Sequence, residues 1–166
     1  MLFYEEIFRS LSEKDVRYIV VGGIAFNLLG GSRNTADLDL LLAMDDNNLL
    51  KFITIMKSQG YMVKQPVDPF DFAREEIRKV WIEKKNMKAF NFYKGYQSFE
   101  EVDVIIDSPV LYEEAISRTS IIRIDDLSLP VISIRDLIKM KEVTGRERDM
   151  LDIKELKRIE KLLNEE

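Results

Sequence analysis

Three aspartates carry most of the chemistry that this sequence offers. Asp37 and Asp39 stand two apart in Asp37-Leu38-Asp39-Leu40-Leu41, and Asp103 lies in Glu101-Val102-Asp103-Val104-Ile105-Ile106-Asp107. In an extended strand residues i and i+2 share a face. Both carboxylates of the first pair therefore point one way while Leu38 and Leu40 point the other. Two ionised carboxylates so placed repel each other, and a divalent cation or a shared proton relieves the repulsion. The bland alternative is a solvated strand face. Asp103 interrupts an apolar, β-branched run, where a lone carboxylate is costly to bury unless it is paired or metal-bound. Asp107 reads as a strand-end residue and Glu101 as rim. Three carboxylates from two neighbouring strands would cradle Mg²⁺ or Mn²⁺. Two such ions suit in-line phosphoryl or nucleotidyl transfer, because they clamp the attacking and leaving oxygens.

Composition narrows the field further. The chain of 166 residues has no histidine and no cysteine. That excludes imidazole bases, Ser-His triads, thiolate metal sites and disulfides. Acid–base work falls to carboxylates. A net charge of −5 argues against a protein that coats nucleic acid. The start Met1-Leu2-Phe3-Tyr4-Glu5-Glu6 lacks a basic segment followed by an apolar one, and no run approaches the ~20 apolar residues of a membrane span. The expectation is a cytoplasmic protein with no membrane association.

The elements that position these groups follow from periodicity and punctuation. Leu2, Phe3, Ile7, Phe8 and Leu11 are spaced for an amphipathic helix over 2–14. Residues 17–21 read as a buried strand ending at Gly22-Gly23, with a helix over 24–29 stopped by Gly30-Gly31. Two glycines between strand and helix permit a sharp turn and close approach of a ligand. The helix N-terminus adds free N–H groups and a positive dipole end, a ready phosphate site; the alternative is a tight turn with no ligand. A polar loop carrying Arg33 and Thr35 leads to a strand over 37–43. A helix over 45–60 follows, capped by Asp45 or Asp46. Residues 70–80 read as a short helix, 87–93 and 101–106 as strands around a Lys94-Gly95 turn, 110–117 as a short helix and 120–124 as a strand. Pro130 introduces helices near 134–143, with Ser133 as N-cap, and near 147–163, separated by Gly145. No repeat or linker divides the chain. It reads as one domain over 1–166, with an α+β core at about 17–125, a mixed β-sheet flanked by helices, and a helical C-terminal segment at about 133–163.

The run of strand, Gly22-Gly23, helix, Arg33-x-Thr35-x-Asp37-x-Asp39 and a later strand aspartate at 103 resembles the nucleotidyltransferase superfamily related to DNA polymerase beta. It is most similar to small prokaryotic proteins of abortive-infection and toxin–antitoxin systems. The tail carries the same likeness, in Leu137-Ile138-Lys139-Met140-Lys141, Gly145-Arg146-Glu147-Arg148-Asp149 and Asp152-Ile153. The likeness covers residues 17–155, with no recognised motif in 60–95. It implies the nucleotidyltransferase fold, Mg²⁺ and an NTP donor. Gly22 and Gly23 would hold the triphosphate, Asp37 and Asp39 would bind metal, and Asp103 would activate the acceptor hydroxyl. Many members carry Gly-Ser where this chain has Gly22-Gly23. Arg33 and Thr35, in the loop, and Lys141, in the tail, join the nucleotide-binding set; Arg146 and Arg148 read as structural or substrate-facing.

Other readings are weaker. An Asp-x-Asp strand also opens the haloacid-dehalogenase phosphatases, but there it ends the first strand. The glycines do not fit the dinucleotide-binding pattern G-x-G-x-x-G. A catalytically silent protein with this fold, acting as an antitoxin or protein-binding module, is the alternative of a different class. The acceptor (a protein hydroxyl, tRNA or a small molecule), the choice among ATP, CTP, GTP and UTP, and a partner protein encoded nearby stay open. Lys84, Lys85, Lys88, Tyr93, Lys94 and Tyr96 read as an exposed turn region, with a basic aromatic patch for nucleic acid as the alternative.

Overall fold

The computed structural model describes residues 3–95 and 98–166; Leu2 and Tyr96 lie outside the described residues. Seven strands form one mixed sheet in the order β3-β4-β5-β2-β1-β7-β6. They are β1 (Tyr18–Val21), β2 (Leu38–Leu42), β3 (Met62–Val63), β4 (Ala89–Tyr93), β5 (Glu101–Ile105), β6 (Ser120–Ile124) and β7 (Leu127–Val131). β2 runs antiparallel to β1 and parallel to β5, and β5 runs antiparallel to β4. The register places Val21, Asp39, Asp103 and Asn91 in one row across four adjacent strands. In-register neighbours share a face, so the row sets Asp39 and Asp103 side by side.

The helices follow from local signals. α1 (Glu5–Glu13) buries Ile7, Phe8 and Leu11. α2 (Gly22–Leu28) leaves β1 with no intervening loop. The Asp45 side chain accepts from the Asn48 N–H to cap α3 (Asp46–Ser58), whose Leu49, Phe52, Ile53 and Met56 enter the core at helical spacing. α4 (Glu75–Lys85) and α5 (Tyr112–Ala115) are followed by α6 (Ile134–Thr144), capped by Ser133 and ended by Gly145, and by α7 (Glu147–Asn164). Among the described residues no helix is long and apolar enough to cross a membrane.

Several boundaries differ from the sequence expectations. α1 is shorter than 2–14. α2 begins at Gly22 rather than residue 24, because the diglycine already adopts helical hydrogen bonding. The helix expected over 70–80 divides into a 3-10 turn, Pro69–Ala73, and α4. Residues 110–117 give only α5 before a 3-10 turn, Ile116–Arg118. β3 and β7 have no counterpart in the sequence reading. β7 contains Pro130, which lacks a donor and argues against an inner strand. Here β7 meets β1 only at Val20–Val131, while Pro130 stands opposite Ile121 in β6.

Candidate active site

The site forms where β1 finishes and β2 and β5 begin, beneath α6 and the start of α7. Gly22 has φ +68°, a conformation that L side chains rarely adopt. A β-carbon there would stand 1.9 Å from Asp39 Oδ2. Gly22 thus serves twice: it turns the chain from β1 into α2, and it lets the Asp39 carboxylate lie flat against the backbone. The Gly23 N–H lies on the side of Asp39 and favours its charged form.

Asp39 is raised to about 7, first by burial and then by the charges of Asp103 and Asp37, against the opposing pull of Lys141 and the Gly23 N–H. Burial also raises Asp103, against a hydrogen bond from Asn91. Asp37, just ahead of β2, is raised by burial and by Glu101, while Lys64 and Arg148 oppose the rise. Asn91 Nδ2 donates to Asp103 Oδ1 at 2.7 Å, and Gln65 Nε2 donates to Asn91 Oδ1 at 2.6 Å. A polar chain from β4 therefore orients the Asp103 carboxylate. Tyr4 ties the site from behind: its hydroxyl donates to the Ala36 carbonyl and accepts from the Glu101 N–H, joining the loop before Asp37 to the start of β5.

Cations line the opposite wall. Lys141, on α6, is buried with Nζ 2.7 Å from Asp152 Oδ2 and 3.7 Å from Asp149 Oδ1. Arg33 Nε shares the same Asp152 oxygen at 3.1 Å. Both cations lie over the Phe26 ring, at 5.7 Å for Arg33 and 5.8 Å for Lys141. Asn27 fixes the Arg33 backbone through both its amide groups. Arg146 caps α7 and pairs with Asp149 at 2.9 Å. Arg148 makes no ion pair among the described residues and faces the clefts.

Two clefts meet here. One, of about 450 Å³, is lined by Gly22, Gly23, Arg33, Thr35, Lys141 and Arg148. The other, of about 620 Å³, is lined by Asp103, Asp107 and Lys88 together with the apolar Ile105, Pro109, Leu137, Met140 and Val143. Gly22, Asp37, Asp39, Lys141, Arg146 and Arg148 belong to both.

The structure brings Gly22, Gly23, Arg33, Thr35, Asp37, Asp39, Asp103 and Lys141 around this junction. Among the described residues no group of three or more carboxylates is gathered as a ready metal cluster. The donor chemistry nonetheless suits a hard cation: only oxygen donors are present, and the in-register pair Asp39–Asp103 carries charge repulsion that a divalent ion would relieve. Sequence reading missed Asn91, Gln65 and Tyr4, and gave Asp152 no role of its own. The strand pair 87–93 and 101–106 hinted at Asn91, but only the register sets it opposite Asp103. In the 84–96 segment Lys88 pairs with Asp107 and Lys94 with Glu100, while Lys84 and Lys85 stand exposed in the last turn of α4.

A family model described as aminoglycoside-2''-adenylyltransferase matches residues 4–156. Among solved structures, the lincosamide antibiotic adenylyltransferase LnuA, bound to lincomycin, is similar with 18% identity, 95% of this chain and 98% of its own covered, and a TM-score of 0.61. ANT(2'')-Ia in complex with adenylyl-2''-tobramycin shows 15% identity, coverage of 95% and 91%, and a TM-score of 0.59. A Thermotoga maritima protein described as a nucleotidyltransferase shows 15% identity, coverage of 98% and 91%, and a TM-score of 0.52. At these identities the structural likeness is one of fold. No curated protein matches the sequence significantly.

Proposed function

The chain belongs to the aminoglycoside-2''-adenylyltransferase family of nucleotidyltransferases, and from that premise we propose that it transfers a nucleoside monophosphate from an NTP to a hydroxyl of a small molecule. The observation that carries the reading is the pair of clefts joined at Gly22, Asp37 and Asp39. The smaller cleft adds Arg33 and the Gly22-Gly23 backbone to the Lys141, Arg146 and Arg148 that both clefts share, which suits a triphosphate. The larger pairs an apolar wall with Asp103, which suits a compact acceptor presenting a hydroxyl to a carboxylate. A transferase needs two substrates meeting at one reacting centre, and the shared wall supplies that meeting point.

In this reading the acceptor oxygen attacks the α-phosphorus, the bond from α-phosphorus to the bridging oxygen breaks, and pyrophosphate leaves. Asp103 accepts or orients the acceptor proton, its Oδ1 held by Asn91 and its other oxygen left for the substrate. Asp37, Asp39 and Asp103 would hold Mg²⁺ or Mn²⁺. That ion, when bound, supplies neutralisation of charge on the triphosphate and the attacking oxygen. Lys141 and Arg33, fixed by Asp152, face the donor phosphates. The ligands of the structural relatives, lincomycin and an adenylylated tobramycin, favour an antibiotic-sized acceptor and ATP as donor.

The test is to supply each of the four NTPs labelled at the α-phosphate, with Mg²⁺ and, in separate arms, a panel of hydroxylated antibiotics, bulk tRNA and a protein lysate. Label on a small molecule, lost in Asp37→Ala/Asp39→Ala, is expected. Label on tRNA or protein instead would overturn the acceptor class. Absence of label in every arm would favour a catalytically silent protein-binding role.

A further inference from the structure

We propose that Thr35 supplies the hydroxyl that fixes a donor phosphate above Gly23, the two positions sharing one side-chain space. The inference rests on the donor reading of the smaller cleft and deepens it. A β-carbon built on Gly23 would lie 2.5 Å from Thr35 Oγ1, 3.0 Å from Thr35 Cβ and 3.0 Å from Arg33 Nη2. Gly23, unlike Gly22, has no left-handed backbone to explain it. The glycine at 23 is there because Thr35, reaching in from the loop ahead of β2, occupies the volume that a side chain at 23 would take.

The hydroxyl delivered to that volume is free. Thr35 is half-buried, lines the smaller cleft, and has no hydrogen-bond partner among the described residues. Arg33 borders the same volume, and Lys141, Arg146 and Arg148 bring further positive charge to the cleft, beside the carboxylates Asp37 and Asp39 on which a metal ion would accompany the phosphates. A hydroxyl can rotate to donate to any oxygen presented to it, and a bond to an anionic oxygen is stronger than one to a neutral group. A free hydroxyl set among these cations is matched by a phosphate oxygen of a nucleoside triphosphate. Arg33 is locked by Asn27 and Asp152, so the guanidinium and the hydroxyl form a fixed pair of donors.

The exchangeability of the two positions makes the inference testable. Nucleotide affinity is measured by calorimetry with a non-hydrolysable NTP and Mg²⁺, and KM for NTP and for acceptor in the transfer assay. Thr35→Val keeps the shape and removes the hydroxyl. It is expected to weaken NTP binding about tenfold or more and to raise KM for NTP, with KM for acceptor unchanged. Thr35→Ser is expected to stay near wild type. The double variant Gly23→Ser/Thr35→Ala is expected to bind more tightly than Thr35→Ala, because the serine enters the vacated space carrying its own hydroxyl. Thermal melts of all variants check folding. Wild-type affinity in a folded Thr35→Val overturns the inference while leaving the donor cleft standing. So does a Thr35→Ser as weak as Thr35→Val, which would assign the effect to the methyl group. No recovery in the double variant overturns the shared space. A wild-type protein that binds no NTP overturns both the inference and the donor reading beneath it.

Discussion

Asp39→Asn is expected to make the protein more stable while abolishing transfer. The Asp39 carboxyl is raised to about 7 by burial and by the neighbouring charges of Asp103 and Asp37. In the unfolded chain it returns to the ordinary aspartate range near 4. Between those two values the folded state holds a proton that the unfolded state has lost, so stability falls as pH rises through the window. Below the window both states are protonated and the group has no effect; above about 7 the full penalty is present. A tenfold change in proton affinity corresponds to about 1.4 kcal/mol, which sets a ceiling of about 4 kcal/mol at pH 8. Structural relaxation and the residual Asp103–Asp37 interaction reduce this, so about 2 kcal/mol is the expected gain. For a chain of this length that is roughly 4–8 °C in Tm. The assay is thermal unfolding of wild type and Asp39→Asn at pH 8 and at steps down to pH 5, with chelator present. The stability gap should narrow as pH falls, and Mg²⁺ with NTP should close it at pH 8 by stabilising only the wild type. A variant less stable than wild type at pH 8, or a gap independent of pH, would refute the electrostatic argument.

Three further outcomes follow from the same geometry. Gly22→Ala combines a left-handed φ with a β-carbon 1.9 Å from Asp39 Oδ2; it should cost about 2 kcal/mol or more, read as a lower denaturant midpoint at unchanged m-value. Asp152→Leu leaves the buried Lys141 only its longer contact with Asp149 and releases Arg33, and should lower stability by about 3 kcal/mol while weakening NTP binding in calorimetry. Asn91→Leu removes the bond that orients Asp103; kcat should fall about tenfold or more, with KM for NTP little changed from wild type.

The legible parts of the sequence were those in which neighbouring residues state their own constraint. The Asp37-x-Asp39 alternation placed two carboxylates on one face without any knowledge of the sheet. Asp45, Ser133 and Gly145 marked helix ends that the structure reproduces. Strand order was not written locally. Nothing in residues 87–106 says that Asn91 falls opposite Asp103, because register depends on how β5 inserts between β4 and β2. Tyr4 is equally silent, since its partners Ala36 and Glu101 are distant in the chain and join only through the folded sheet. β7 was hidden by Pro130, whose usual meaning is a break; the short contact with β1 makes the exception tolerable. Asp152 read as one more charge on an amphipathic helix, and its importance appears only when α7 brings it against both Lys141 and Arg33.

The most direct test of the proposed activity is a crystal structure with an α,β-methylene NTP analogue and Mn²⁺, whose anomalous signal locates the ion. The triphosphate is expected in the smaller cleft, against Gly22-Gly23 and within reach of Arg33 and Lys141. Mn²⁺ is expected on Asp37 and Asp39, with the α-phosphate facing the cleft that contains Asp103. A nucleotide bound elsewhere, or Mn²⁺ absent from those carboxylates while the analogue occupies the cleft, would contradict the two-cleft transfer site.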